Sequence, residues 1–394
     1  MQILIIIDDY MPKSIKVGAK MMHELSCELV KEGHKVSVLT PDADIAKKFE
    51  ISSLDGVDIY RFKSGEIKNT SKIKRAINET LLPFYALRAY KSFLKQNKHD
   101  YIIYYSPTIF FGLLVKYLKK IWGVKSYLIL RDFFPQWVVD NGMLGKNSPI
   151  THYFRFFEKI SYDSADTIGV MSPKNLEWFK TYYQTPKKLE VLYNWVDDKK
   201  VDAGISTYKK KLNIEDKVVY FYGGNLGHAQ DMLNIVRLAK NMQQHKEAYF
   251  VLVGAGDEVE LIKDEIKNLE LDNIKLLDAV NQDEYKKMLS EFEVGLFTLN
   301  KNHKTHNFPG KLLSYMVEEL AIVGSINPNN DLKELFDEYK AGYISINPDD
   351  KQFYEDAKKL LDADVRKVTS KNAKILLQNR FALSSASKQI LKNG

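Results

Sequence analysis

Three glycine-bearing segments in the second half of the chain have the residue types and spacing to hold a phosphate. The first, Gly223-Gly224-Asn225-Leu226-Gly227-His228-Ala229-Gln230-Asp231, follows the apolar run Val218–Tyr222. Glycines at 223, 224 and 227 let backbone approach a ligand closely, and a helix starting after them offers unpaired N–H groups to an anion. The spacing suits a diphosphate. It is neither the Gly-x-Gly-x-x-Gly dinucleotide pattern nor a P-loop, so neither of those readings is supported; the alternative is a plain strand-to-helix turn. The second segment, Gly254-Ala255-Gly256-Asp257, follows Tyr249–Val253 and is weak alone; Asp257 is expected to cap a helix. The third is Asn307-Phe308-Pro309-Gly310-Lys311-Leu312-Leu313-Ser314-Tyr315-Met316. Pro309 and Gly310 end a loop where a helix should start, which places Lys311 in the first turn, where a cation opposes the helix dipole. A bound anion reverses that penalty. Lys311 is therefore the charged residue on which the diphosphate reading rests, the alternative being a solvated lysine.

In the first half, Arg131-Asp132 follows the apolar run Ser126–Leu130 and so lies where ligands meet a parallel sheet. Arg131 is a candidate phosphate holder and Asp132 a candidate base or orienting group, with a structural Arg–Asp pair as the alternative. Gly18, in the loop before the first helix, is a second point of close backbone approach. His303 and His306 lack nearby carboxylates and make a poor metal site. The one cysteine, Cys27, is expected in the core; it can neither form an internal disulfide nor supply a cysteine-ligated metal site, and a reduced, cytoplasmic setting fits best. No nucleophile-elbow motif is present.

These residues need elements to position them, and the pattern is strand alternating with helix. Residues 2–7 read as a buried strand, Gly18–Lys31 as a helix ended by Gly33, and Lys35–Thr40 as a second strand: a βαβ unit with parallel pairing. Further strands are expected at Val57–Phe62, Tyr101–Tyr105, Ser126–Leu130, Thr167–Met171 and Leu189–Leu192. After a lysine-rich linker near 198–212 the alternation restarts with strands at Val218–Tyr222, Ala248–Val253, Ile274–Leu277, Val294–Leu299 and Tyr343–Ile346. A last helix runs from about Val365 to the end. The expected fold class is α/β, with two Rossmann-like doubly wound domains facing a cleft.

At 394 residues the chain is too long for one ordinary core of roughly 150 residues. Its 45% hydrophobic and 28% charged residues exclude disordered and fibrous classes. No signal peptide is expected from its first residues, and no apolar run reaches the roughly 18 residues of a membrane span. The net charge of +7 is unevenly placed: residues 1–200 hold 31 Lys and Arg against 22 Asp and Glu, and residues 61–125 hold 14 against 3. Interleaved there are Phe62, Phe84, Tyr85, Tyr90, Phe93, Phe110, Phe111, Tyr117 and Trp122. Basic side chains among aromatics suit an anionic membrane surface, with a solvated helix face over core aromatics as the alternative. No nucleic-acid module accompanies the charge, so nucleic acid is not expected as a partner.

Taken together, the Gly18-led helix, Arg131-Asp132-Phe-Phe-Pro, Ala165-Asp166-Thr-Ile-Gly-Val-Met-Ser172, Gly224-Asn225-Leu, Val253-Gly254-Ala-Gly256 and Pro309-Gly310-Lys311-Leu-Leu-Ser314-Tyr315-Met resemble the GT-B glycosyltransferases of the family-4 type over nearly the whole chain. The likeness is greatest to the bacterial O-antigen and capsule enzymes that transfer N-acetyl-L-fucosamine. It implies an acceptor and membrane-facing domain at 1–200, a nucleotide-sugar domain at 201–375, and a terminal helix, 376–394, that returns to the first domain. It further implies a UDP-sugar donor bound by Gly223, Gly224, Asn225, Gly227, Gln230, Gly254, Gly256, Val280, Pro309, Gly310, Lys311, Ser314 and Tyr315. On the acceptor side it places Gly18 and Arg131, with Asp132, Arg131 and Lys311 as the catalytic residues and a polyprenyl-diphosphate-linked saccharide as acceptor. No metal or other cofactor is expected, since basic groups neutralise the departing diphosphate. The chain departs from the family pattern where Asn225 and Gln230 stand for an Arg and a Lys, where His306 and Ser314 stand for two Glu, and where Glu319 stands for Gly. The alternatives carried forward are a nucleotide-sugar epimerase of the same fold and a non-catalytic sugar- or lipid-binding adaptor.

Overall fold

The computed structural model describes the chain except residues 15, 69, 141, 201–203, 205–206, 303–307 and 329. Two compact units form, Met1–Asp197 with Leu383–Gly394, and Asp198–Ala382. The first boundary lies near the expected linker, part of which falls outside the described residues; the second lies several residues beyond the expected 375/376.

The first unit is built on strands β1 (Gln2–Ile6), β2 (Lys35–Asp42), β3 (Phe49–Leu54), β4 (Val57–Lys63), β5 (Tyr101–Ser106), β6 (Lys125–Leu130), β7 (Thr167–Val170) and β8 (Lys188–Val191), ordered β3-β4-β2-β1-β5-β6-β7-β8. All neighbours pair in parallel except β3 with β4. Period-2 alternation makes β1 serve both faces: Leu4 and Ile6 join one core cluster, Ile3 and Ile5 the other. Strand β1 is therefore buried on both sides, which is why it reads as an unbroken apolar run. The terminal helix Leu383–Leu391 closes one face: Ile390 is fully buried, Tyr101 donates its hydroxyl to the Ile390 carbonyl at 3.1 Å, and Ser387 donates to Glu32 at 2.6 Å.

The second unit holds β9 (Val218–Asn225), β10 (Ala248–Ala255), β11 (Ile274–Leu277), β12 (Val294–Thr298), β13 (Ala321–Ile326) and β14 (Tyr343–Ile346) in the order β11-β10-β9-β12-β13-β14. All its pairs are parallel. Two strands were not expected from the sequence. β3 is an edge strand whose residues are mostly exposed, and β13 is a fully buried strand that follows Glu318-Glu319-Leu320 without a glycine or proline to mark its start. The expected single last helix is two: Ala363–Leu376 continues as a π-turn through Phe381, and Leu383–Leu391 follows a break at Ala382.

The basic stretch 61–125 is corrected in one respect. Phe62, Tyr90, Phe110, Phe111 and Trp122 are core residues, and Tyr85, Phe93 and Tyr117 pack against the core, so of that aromatic set Phe84 is the exposed member. Further exposed apolar side chains lie on the helix Lys72–Thr80 (Ile73, Ile77) and the helix Pro149–Ser164 (Ile150, Tyr153, Phe156), as others do elsewhere, among them Val17, Phe49 and Ile51. Tyr153 and Thr80 share a hydroxyl hydrogen bond at 2.5 Å, which ties these two helices together. Among the described residues, no helix is long and apolar enough to cross a membrane.

Candidate functional site

In the second unit the carboxyl end of β9 carries the first glycine segment, and Lys311 opens the helix Lys311–Val317 beside it. Gly224 has φ +135° and is exposed; a Cβ there would stand 3.6 Å from the Lys311 Nζ and Cε. The Lys311 Nζ lies 3.4 Å from the centroid of the Tyr222 ring, a cation–π contact. The lysine as a residue is only partly buried, but its Nζ is out of water and, among the described residues, without a hydrogen-bond partner. Removal from water pulls its pKa down from 10.5 to about 7. An ammonium group poised between charged and neutral, lying against exposed glycine backbone, is arranged to receive an anion. Tyr222 was not singled out from the sequence; an aromatic in the last position before a glycine pair at a strand end is the signal that marks it.

The other glycines have a second task. A Cβ on Gly254 would fall 1.8 Å from the Gly224 carbonyl oxygen, and one on Gly256 2.2 Å from that of Leu226. Both are small because the β10 turn packs on the β9 turn; close packing, rather than approach to a ligand, explains them. Gly227 is confined by Asp257 Oδ1, which a Cβ would meet at 2.6 Å. Asp257 is not the helix cap expected: Glu258 holds that position before Val259–Asn268, without a side-chain cap bond. The Glu258 carboxylate instead accepts from Met232 N at 3.3 Å.

That bond corrects the anion-binding helix start expected after Gly227. A short 3₁₀ turn, His228–Gln230, and a left-handed Asp231 intervene before the helix Met232–Met242, whose first amide faces the protein's own carboxylate. The Leu226 and Gln230 amides are also engaged, by the carbonyls of Ala255 and Gly227. Gly223 N–H lies 3.4 Å from the Tyr315 hydroxyl, which in turn reaches the Leu296 and Phe221 carbonyls. Tyr315 is fully buried, so it ties β9, β12 and its own helix together and presents nothing to a donor. Gly223 is fixed from its other side by the Tyr285 ring.

Asn225 is exposed at the end of β9, and Ser314 is half-buried one turn beyond Lys311. Pro309 and Gly310 stand at the mouth of that helix, where their carbonyls accept from Leu312 and Leu313. Gly310 has open space where a Cβ would lie. Val280 is exposed in the turn after β11. His303, His306 and Asn307 lie outside the described residues. Glu318 does not replace the missing acidic residues of the pattern: it caps the far end of the Lys311 helix, about 10 Å along, and pairs with Lys200 at 3.5 Å.

In the first unit, Asp8, Tyr105, Arg131 and Asp132 gather at the carboxyl ends of β1, β5 and β6, where the Tyr105 hydroxyl experiences all three charges. Burial, with Glu79 and Asp9 nearby, lifts Asp8 to about 6. Burial also lifts Asp132 to about 6, although the Trp137 side chain bonds it. Arg131 is placed differently from the phosphate-holding role expected. It donates to the carbonyls of Leu192 at 2.6 Å and Tyr193 at 3.1 Å, lies over the Trp195 ring, and is pulled down to about 10 by burial. Its guanidinium fastens the chain after β8, and Asp8 and Asp132 are the carboxylates gathered beside it. Gly18 is within the first turn of the helix Val17–Lys31, not in the loop before it; a Cβ there would stand 2.9 Å from the Tyr105 hydroxyl. Asp8 and Tyr105 were missed, although residues just past the carboxyl end of a parallel strand are where ligands are met.

Comparison with known proteins places both units. Residues 18–200 match the family model described as Glycosyltransferase Family 4, and residues 205–375 that described as Glycosyl transferases group 1. A Pseudomonas aeruginosa protein named for a glycosyltransferase, WbjE, is 24% identical over 57% of each chain. An Escherichia coli (strain K12) protein named for colanic acid biosynthesis, WcaI, is 20% identical over 89% of each. Among solved structures, WaaG, a glycosyltransferase involved in lipopolysaccharide biosynthesis, superposes with a TM-score of 0.61 at 14% identity over 99% of both chains. Anabaena Alr3699/HepE in complex with UDP gives 0.63 at 14% identity over 100% of this chain and 99% of that one. With each half matched by the family model for its own domain, the chain belongs to the two-domain glycosyltransferases of the GT-B, family-4 type.

Proposed function

We propose that the protein transfers a sugar, an amino-deoxy sugar such as N-acetyl-L-fucosamine, from a UDP-linked donor to a polyprenyl-diphosphate-linked saccharide in the assembly of a surface polysaccharide. The observation that carries the donor half is the buried, unpartnered Lys311 Nζ against the Gly224 backbone. Charge accumulates on the β-phosphate as the glycosidic bond to the donor breaks. A lysine already stripped of water stabilises that charge more than a hydrated one would, because the field is not screened. Asn225 and Gln230, uncharged where the family pattern has an Arg and a Lys, leave Lys311 as the main neutralising group, and we propose that no divalent metal shares the task.

On the acceptor side Asp132, held near pH 6 by burial, has the basicity to take the proton of an incoming hydroxyl or to orient it. Support for a UDP donor comes from HepE, whose structures hold UDP, UDP with glucose, and UDP-glucose; support for a surface polysaccharide comes from the names of WcaI and WaaG. The exposed Ile73, Ile77, Phe84 and Phe156, set among Lys72, Lys74, Arg75 and Arg88, support a peripheral seat on the anionic inner face of the cell membrane, where a polyprenyl acceptor is found.

The test is thermal denaturation of wild type and Lys311→Met across a series of nucleoside diphosphates and their sugars. UDP should raise the melting temperature of wild type and should lose most of that effect in the variant, with transfer falling at least a hundredfold. An equal shift in both proteins would remove Lys311 from the donor site.

A further inference from the structure

Sugar transfer makes no use of a cluster at the first helix. His23 and Cys27 are four residues apart on Val17–Lys31 and therefore share a face. Asp55 sits in the β3–β4 turn at φ +51°, followed by Gly56 at +81°, the left-handed pair of a two-residue hairpin. This turn rests on the helix, since a Cβ on Gly56 would meet Val30 Cγ1 at 3.3 Å. The His23 Nε2 lies 3.0 Å from Asp55 Oδ2 and 3.6 Å from Cys27 Sγ. His23 Nδ1 lies 2.9 Å from the hydroxyl of the buried Tyr10.

Two kinds of chemistry fit a Cys–His–Asp group, and the nitrogen used separates them. A proton relay puts thiol and carboxylate on opposite ring nitrogens. Here both converge on Nε2, which carries either one proton or one lone pair and cannot satisfy both as hydrogen-bond partners. Convergence of sulfur, nitrogen and oxygen on one point is what a metal requires. One ligand atom from each of the three residues lies within 4.8 Å of the others. A tetrahedral zinc with bonds of about 2.3 Å to sulfur and about 2.0 Å to nitrogen and oxygen would have S···N and N···O edges of roughly 3.6 and 3.3 Å, against 3.6 and 3.0 Å here. Tyr10 occupies the outer nitrogen, the place of the partner that fixes a metal-bound imidazole.

We propose that His23, Cys27 and Asp55 bind a zinc-type divalent cation, with Tyr10 orienting the imidazole. A thiolate with an imidazole favours zinc over magnesium or calcium. Asp55 is exposed on its outer side, which leaves a fourth position for water. On binding, the Cys27 thiol gives up its proton to solvent and the sulfur bonds the metal. The ion would fasten the β3–β4 turn to the first helix and stands apart from the proposed metal-free transfer. This departs from the expectation that Cys27 is a core residue unable to serve a metal site: it is only partly buried, and one cysteine is no signal until folding brings His23 and Asp55 to it.

The experiment is titration of the reduced, full-length protein with Co²⁺ at pH 7.5, followed by absorbance. With one cysteine in the chain, a thiolate-to-cobalt charge-transfer band at one equivalent can arise only from Cys27; it should be displaced by Zn²⁺, and Zn²⁺ should raise the melting temperature. Asp55→Asn, which keeps a residue suited to the left-handed turn, should weaken Co²⁺ binding at least tenfold, and His23→Ala should weaken it further. Absence of the band, with no effect of Zn²⁺ on melting, overturns the proposal. So does a band of unchanged affinity in Asp55→Asn and His23→Ala.

Discussion

Lys311 is costly to the protein without its ligand, and that cost has a sign that can be measured. An unfolded lysine titrates near 10.4, whereas Lys311 in the fold titrates near 7, so the unfolded chain binds more protons between those values and stability rises with pH across that window. Below about pH 7 the full penalty for a buried charge is present. Lys311→Met should therefore stabilise the unliganded protein at pH 7 by a few kcal/mol, with the gain shrinking toward pH 10, as read from urea midpoints at both pH values. The variant that loses donor binding should be the more stable protein, the opposite of what loss of a merely structural lysine gives. The pH dependence of transfer follows from the same residue together with Asp132. Asp132 must be ionised to act as a base, so kcat/KM rises as pH passes about 6, and Lys311 must be charged to meet the diphosphate, so it falls as pH passes about 7. A narrow bell centred between these values is expected in the free enzyme. The alkaline limb of kcat should lie higher, because bound diphosphate restores the ammonium. Asp132→Asn should flatten the acid limb alone; an unaltered acid limb would assign it to another group.

At the scale of elements, what could be read from the sequence was whatever burial writes directly into residue type. β1, β5, β6, β9 and β10 are apolar runs bounded by polar turns, and each forms close to its expected span. β13 was lost because the residue that should announce it is of the wrong type: Glu319 takes φ +61°, the left-handed conformation that glycine ordinarily supplies at a helix end. The same gap between type and task affects the site. The place of Lys311 was legible because Pro309 and Gly310 mark a helix start, and the fold sets it there beside Gly224. Gly254, Gly256 and Tyr315 looked like ligand-facing residues because close packing of two turns and close approach to a ligand require the same small or aromatic residues. Asp8 and Tyr105 carry no motif and join Asp132 only through strand order. The Glu319 strain is testable. A left-handed L-residue costs roughly 1–2 kcal/mol, partly offset by the greater unfolded freedom of glycine, and the Lys374 contact at 3.9 Å on a half-exposed carboxylate adds little. Glu319→Gly should raise unfolding stability by about 0.5–1 kcal/mol in urea without changing transfer; a loss of stability would show that the side chain carries more than its geometry indicates.

For the molecule as a whole, the uneven charge becomes a claim about where the enzyme works. The first 200 residues carry the entire excess, 31 basic against 22 acidic, while the remainder carries 27 against 29. Charge alone would bring the first unit to an anionic surface without holding it there, since each basic residue near the surface contributes about 1 kcal/mol and salt screens it. Retention needs apolar side chains free to enter the interface. Ile73 is 76% exposed, Phe156 60% and Phe84 57%, and the Thr80–Tyr153 bond ties the helices that carry Ile73 and Phe156. Burial of exposed groups of this size is worth about 1.5–3 kcal/mol each when complete, enough for a few of them to outlast moderate salt. The full-length protein should therefore sediment with vesicles containing phosphatidylserine and not with neutral vesicles. Raising the salt should reduce that binding in stages rather than abolish it. Replacing Ile73, Phe84 and Phe156 together with serine should convert the residual, salt-resistant fraction into one released by salt alone, while transfer to a short water-soluble acceptor stays at the wild-type rate. If the triple variant sediments as wild type does at every salt concentration, those side chains do not enter the bilayer, and the basic surface serves another anion.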